Sequence, residues 1–353
     1  MIKPCLSGMN LEQLTGFVTG LGQPAFRARQ LMAWLVKGKD FPQMHTLPAA
    51  LRKQLDMVAI AQPARVAERH VSALDGTEKY LFCLPDNHTV EGVLMCYRHG
   101  ITFCLSTQVG CAMGCAFCAS TLGGKLRDLS TGEMAGMTYA ANALCADEGI
   151  DNIVLMGSGE PLDNYEQVIG FLRLISSPDS LHIGLRHISL STCGLPARMR
   201  RLAREGLPVT LSVSLHAPND DIRQQIMPIA RVYPINEVLD ACREYIRQTG
   251  RRVVIEYALI DGINDRVDHA EELAVRLRGM QCHVNLIPLN DVAERDLRAA
   301  GRGQVRAFAG RLGELNISAT VRRQLGDDIF GACGQLRAQR LKMPLISEEE
   351  AGI

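Results

Sequence analysis

The chain of 353 residues carries no net charge, because 38 lysines and arginines balance 38 aspartates and glutamates. This is not the footprint of a general nucleic-acid binder. It leaves room for a specific one that works through a local basic face. Long apolar runs are also missing: none reaches the ~18–20 residues that a membrane span needs. The opening MIKPCLSGMNLEQL lacks the charged-then-apolar layout of a secretion signal. The expectation is a cytoplasmic protein with no membrane partner. No internal repeat and no low-complexity tract occurs, which argues against solenoids and disordered linkers.

What the chain does have is 47% hydrophobic residues, enough for a real core, and twelve cysteines. In a long chain without a secretion signal, that many cysteines point to reduced thiols with metal or redox chemistry rather than to a disulfide framework. The length suits one large domain and one smaller one.

Residues 9–60 read as helical. NLEQLTGFVTGLG and FRARQLMAWLVKG place apolar side chains three and four apart, and Gly20, Gly22 and Pro24 separate them. The region is locally basic. KYLFCL, TVEGVLMCY and ITFCLST, from about residue 78, are short β-rich segments and predict an antiparallel lead-in. Strand and helix patterns then alternate. Strands are expected at 151–156, 187–192, 209–216, 252–260, 283–288 and 317–323. Helices are expected from Ser130, whose capping box closes with Glu133, and over 165–176, 196–206, 235–248, 267–279, 301–313 and 329–341. The alternation predicts parallel β/α units in a partial barrel or an open sheet, with functional loops after the strand ends. The division expected is a small helical domain over 1–75 and a larger domain over 76–353.

Three cysteines are clustered. CAMGCAFC spaces Cys111, Cys115 and Cys118 as Cys-x3-Cys-x2-Cys directly after ITFCLST, and Gly110 and Gly114 permit sharp turns. A zinc site usually takes four protein ligands, whereas three thiolates suit a 4Fe–4S cluster with one open iron. A three-cysteine zinc knuckle is the competing reading of these residues. A second glycine-rich turn, MGSGEPL, follows the strand DNIVLM and offers Glu160 as acceptor for an ammonium group.

With these motifs the chain resembles the RlmN/Cfr family of radical S-adenosylmethionine RNA adenosine methyltransferases. The carrying segments are FRARQLMAWL, TFCLSTQVGCAMGCAFCASTLGG, MGSGEPLDNY, LSTCG, VSLHAPND, VNLIPLN and GDDIFGACGQL. The resemblance implies an α/β fold with a partial (β/α)6 radical barrel, a small N-terminal helical RNA-binding domain and a short β lead-in. It also implies that Cys111, Cys115 and Cys118 hold the cluster. Gly159, Glu160, Ser191, Ser214, Leu215, His216 and Asn290 would contact S-adenosylmethionine, of which two molecules are used per turnover. Cys333 would carry the methyl group, Cys104 would be the second catalytic cysteine, closing a disulfide with it, and Glu91 the proton acceptor. The implied partners are 23S rRNA, tRNA and an electron donor such as flavodoxin or ferredoxin. The implied reaction is methylation at carbon 2 of adenosine, with carbon 8, the Cfr-like reaction, as the alternative.

Read without the family, Cys104 is a small apolar strand residue, Glu91 an ordinary strand carboxylate and His216 a satisfied strand-end histidine. The chain departs from the family pattern after Asn290, where NDVAERDLRAAG replaces an Asn-Pro loop, and at Phe330. Arginines such as Arg186, Arg198, Arg201, Arg251, Arg322 and Arg337 are candidates for phosphate contacts.

Overall fold

A computed structural model describes residues 3–145, 148–290, 292 and 294–329. Cys333, Phe330, Arg337 and nearly all of the helix expected over 329–341 lie outside the described residues.

The N-terminal region folds as three short helices: α1 (Leu11–Gly20), α2 (Arg27–Leu35) and α3 (Ala49–Val58). The Asn10 side chain accepts from the Gln13 amide, and Gln13 returns the bond, so α1 begins with a closed capping box. The apolar faces of the three helices meet around Leu14, Leu31 and Leu51.

Four strands follow: β1 (Arg65–Val71), β2 (Glu78–Cys83), β3 (Thr89–Tyr97) and β4 (Gly100–Leu105), antiparallel in that order. The sequence pattern places no strand before about residue 78. β1, RVAERHV, is mostly exposed and mixes charge with β-branched residues, so periodicity gives it away poorly. A small hairpin of β5 (Gln108–Gly110) and β6 (Lys125–Asp128) encloses the cysteine loop.

The expected alternation comes next. It runs α4 (Thr131–Asn142), β7 (Asn152–Leu155), α5 (Tyr165–Ile175), β8 (Ile188–Thr192), α6 (Pro196–Arg204) and β9 (Thr210–Ser214). It continues with α7 (Asp220–Ile226), α8 (Ile235–Thr249), β10 (Val253–Leu259), α9 (Val267–Leu277), β11 (Cys282–Pro288), α10 (Arg302–Glu314) and β12 (Ala319–Val321). Ser130 caps α4, and its amide donates to Glu133 at 2.8 Å, as the capping-box pattern predicts.

One ten-stranded sheet results, in the order β1-β2-β3-β4-β7-β8-β9-β10-β11-β12. β4 turns the sheet from antiparallel to parallel, since it is antiparallel to β3 and parallel to β7. Every later pairing is parallel. This is a mixed α/β sheet curled into an unclosed barrel. Successive side chains alternate between its faces. Phe103, Leu105, Ile153 and Leu155 point outward into the helix-covered core, while Cys104, Val154 and Met156 point inward. Among the described residues no helix is long and apolar enough to cross a membrane.

Candidate active site

At the C-terminal ends of the parallel strands lies a cavity of about 260 Å³. Cys111, Cys115 and Cys118 all line it, together with Gly159 and Glu160. The cysteine loop is held by its backbone. Gly110 and Gly114 have φ of 81° and 69°, the left-handed turns that the glycines were expected to allow. The Cys118 amide donates to Cys115 O, and the Thr121 hydroxyl sits between Cys115 O and Cys118 O at 3.2 and 2.9 Å. Arg295, in the loop that departs from the family pattern, donates to Thr121 Oγ1 at 3.0 Å and so braces the cysteine loop from outside.

Burial, reinforced by negative charge on the neighbouring thiols, pushes Cys111 up to about 11 and Cys115 well above the usual thiol range. Two buried thiols whose ionisation is disfavoured, with a third, half-buried, beside them, are a poor resting state without a cation. Bound iron reverses that balance, because a metal-bound thiol is deprotonated. Among the described residues no three histidine, cysteine or acidic side chains converge as ligands of one metal ion. A cubane cluster asks for something different, one thiolate per iron, and three thiols around a shared cavity fit it.

The second glycine turn packs directly on the strand that leads to the cysteines. A Cβ on Gly159, whose φ is 113°, would lie 2.7 Å from Gln108 Cβ. One on Gly157 would lie 2.6 Å from the Ser106 amide nitrogen. Gln108 Oε1 accepts from the Glu160 amide at 2.9 Å. Its Nε2 donates to Asp128 and Asp163. The Glu160 carboxylate is 3% exposed and takes the Leu162 and Cys193 amides at 2.9 and 2.7 Å. Burial raises its pKa, and the Cys193 and Leu162 amides oppose that shift. Carboxylates have more lone pairs than these two bonds use, so Glu160 can still accept from a ligand ammonium in the cavity.

Ser191, Ser214, His216 and Asn290 line the same cavity. Leu215 does not: its side chain lies in the main core, and its amide donates to Glu256 O at 3.1 Å. His216 sits at φ 56°. Its Nδ1 accepts the Ala258 amide at 2.9 Å, which fixes a neutral ring with Nδ1 unprotonated. The ring stands edge-on to Phe117 at 4.8 Å, and burial lowers its pKa to about 3.

Cys104 and Glu91 belong to the inward face beside this cavity. Cys104 pairs with Val93 across β3 and β4, and both pack against Met156, which lines the cavity. Glu91 is two residues before Val93 on the same face, 3% exposed, with Oε2 at 3.1 Å from the fully buried Lys79 ammonium. No disulfide joins any two of the eleven described cysteines.

Three buried groups that organise the site were not singled out from the sequence. One is Gln108. Another is Arg223 on α7, which is 0% exposed. Its guanidinium donates to Cys193 O at 2.6 Å, Tyr233 O at 3.1 Å and Leu215 O at 3.3 Å. The third is Asn264, which bridges His216 O and Ala258 O at 2.7 Å each. The one sequence signal for Arg223 is its spacing of three from Ile226, which puts a charge in the apolar phase of a short helix.

The comparisons with known proteins agree with this geometry. Residues 105–274 match the model of the radical SAM superfamily, and residues 5–61 match the ribosomal RNA large subunit methyltransferase N-terminal domain. The chain is 48% identical over 343 residues to a probable dual-specificity RNA methyltransferase RlmN of Alkaliphilus oremlandii, covering 97% of this chain and 100% of that one. It is 47% identical over 340 residues to the protein of the same name from Thermoanaerobacter sp. (strain X514), covering 96% and 98%. A crystal structure of a radical SAM methyltransferase from Sphaerobacter thermophilus superposes with a TM-score of 0.92 at 43% identity, over 95% of this chain and 99% of that one.

Proposed function

The chain belongs to the RlmN family of radical SAM RNA methyltransferases, and we propose that it methylates carbon 2 of one adenosine in 23S rRNA and of the adenosine 3′ to the tRNA anticodon, passing the methyl group through Cys333. Enzymes of this kind work with a 4Fe–4S cluster and S-adenosylmethionine. When bound, the cluster supplies the single electron that cleaves S-adenosylmethionine. An electron carrier of the flavodoxin or ferredoxin class is the proposed donor.

The roles proposed for the residues are those that the family resemblance implies. Cys111, Cys115 and Cys118 hold the cluster. Glu160, seated in the Gly159 turn, receives the methionyl ammonium. Ser191, Ser214, His216 and Asn290 contact the rest of S-adenosylmethionine, and Leu215 contributes through its backbone. His216, kept neutral, offers no positive charge to the sulfonium. Cys333 takes a methyl group by displacement. Glu91 accepts the proton lost from the adenine carbon, and Cys104 attacks the Cys333 sulfur, closing a disulfide as the bond to the product breaks. Residues 1–75 are proposed as the RNA-binding domain and 76–353 as the catalytic domain.

The observation that carries this reading is Cys104. It is a cysteine on the inward face, beside the cysteine-lined cavity and near a buried carboxylate on the next strand. Making a radical requires neither group. Releasing a product from a methylated cysteine requires both.

The test is nucleoside analysis of RNA treated with the anaerobically reconstituted, reduced protein. It should contain 2-methyladenosine. Finding 8-methyladenosine instead would establish the Cfr-like reaction. Cys104→Ala should stall with RNA joined to the protein by a thioether, and product release at the normal rate would refute the two-cysteine scheme.

A further inference from the structure

The barrel has a second opening. At the N-terminal ends of the parallel strands a cavity of about 400 Å³ is walled by Asn152, Ser189, Ser212 and His283, inward positions one or two steps below those of the upper cavity. Met156, Glu256 and Arg322 line both cavities, so the lower cavity and the cavity at the cysteine loop back onto one shared layer of side chains. Cys104 lies on the inward face beside that layer, packed with Met156. Thr102, its inward neighbour two residues earlier on β4, faces the lower cavity, and Met156 beyond it faces both.

The rim of the lower mouth has a distinct chemistry. Tyr97 and His99, at the end of β3, stack with centroids 5.1 Å apart and planes 14° from parallel. Arg186 and His187, both exposed, precede β8 on the same rim, and His187 Nδ1 is fixed by Asn152 at 3.0 Å. Arg322, which follows β12 and stands above the rim at the level of Leu286, whose O takes its amide at 2.8 Å, lines the same cavity. Among the described residues, the one carboxylate in the wall is Glu256. It is buried at mid-barrel, takes the Asn285 amide group at 2.9 Å and carries a raised pKa from burial. A flat aromatic pair flanked by arginines, with the single acid kept inside, is the equipment with which proteins hold unstacked nucleotides.

We infer that the target adenosine reaches Cys104 through this lower mouth, with the Tyr97–His99 pair stacking a neighbouring base and Arg186 holding the adjacent phosphate. The mouth thereby separates the two reactants. S-adenosylmethionine occupies the cluster end, RNA comes from the opposite end, and they meet beside Cys104. Unstacking the adenosine costs a few kcal/mol, and a stacking platform at the rim offsets part of that cost where the neighbouring base leaves the RNA. The inference rests on the RNA methyltransferase reading above.

The test uses the reconstituted full chain and an in vitro transcribed 23S rRNA fragment. Tyr97→Ala should raise the KM for RNA roughly ten-fold, with kcat changed far less, and Tyr97→Phe should restore it. Arg186→Ala should raise KM and reduce the slope of log affinity against log salt by about 1. Arg247→Ala, on the outer face of α8, serves as the control and should match wild type. RNA carrying 4-thiouridine beside the target adenosine should crosslink on irradiation to peptides containing residues 97–99 or 186–187, a readout that needs no variant to fold. Unchanged KM for both Tyr97→Ala and Arg186→Ala, a loss confined to kcat, or crosslinks confined to other peptides would overturn the route. A wild-type chain that methylates no RNA would instead overturn the functional reading itself, and this route with it.

Discussion

Replacing Arg223, which does not itself line the cavity, by methionine should loosen the ends of two strands, β8 and β9, and the turn before α8. The guanidinium is fully buried and is the common donor to Cys193 O, Leu215 O and Tyr233 O, with Ser214 O at 3.5 Å. Methionine fills much of the volume and donates nothing. Each carbonyl stranded in the interior costs about 1–3 kcal/mol. Three of them give roughly 3–9 kcal/mol, from which the relief of no longer burying a charge must be subtracted. The net expectation is about 3–5 kcal/mol, in the range found when one partner of a buried ionic network is removed. That is a large share of the ~5–15 kcal/mol stability of a typical domain. The damage should spread to the ligand site, because the Cys193 turn that Arg223 holds also donates its amide to Glu160 Oε2 at 2.7 Å. Urea unfolding of the cluster-free chain measures the first effect, and S-adenosylmethionine binding to the reconstituted protein measures the second. Arg223→Lys, with one compact ammonium in place of a fork, should fall between wild type and Arg223→Met. A midpoint for Arg223→Met equivalent to less than about 0.5 kcal/mol of destabilisation, a typical surface-substitution effect, would refute the clamp.

Two further outcomes follow from the same region. His216 is held neutral with its pKa near 3, so its contribution to stability is complete above the unfolded value of about 6.5 and declines as pH falls towards 3. Between pH 6.5 and 5 the cluster-free chain should lose about 2 kcal/mol from this residue, and His216→Gln, which keeps an acceptor but cannot titrate, should show that much less pH dependence in urea unfolding. Gly159→Ala places a Cβ 2.7 Å from Gln108 at a φ of 113° and should cost about 2–4 kcal/mol by overpacking and backbone strain. Gly206→Ala, also at positive φ but in open space, should cost only about 1–2 kcal/mol. Equal shifts in the two melting temperatures would show that crowding at Gly159 is not felt.

The sequence made the cysteine loop legible because its chemistry is local. The spacing of Cys111, Cys115 and Cys118 and the glycines beside them are set by a turn that a few consecutive residues encode. The β/α alternation was legible for a similar reason, since each element announces its own period. Arg223, Gln108 and Asn264 were opaque because their work is done across the fold. Arg223 serves carbonyls 8, 10 and 30 residues away, and no local pattern distinguishes it from a solvated helix arginine. The lower mouth was opaque for a further reason. Tyr97, Arg186 and Arg322 come from the ends of three strands far apart in the chain, and only the curl of the sheet brings them to one cavity. Cys104 lies between these cases. Its face was predictable from strand alternation, but its meaning depends on what that face looks into. The barrel supplies the answer: one thiol, on the one strand where the sheet changes from antiparallel to parallel, stands between a cavity suited to a cluster and a mouth suited to a nucleotide.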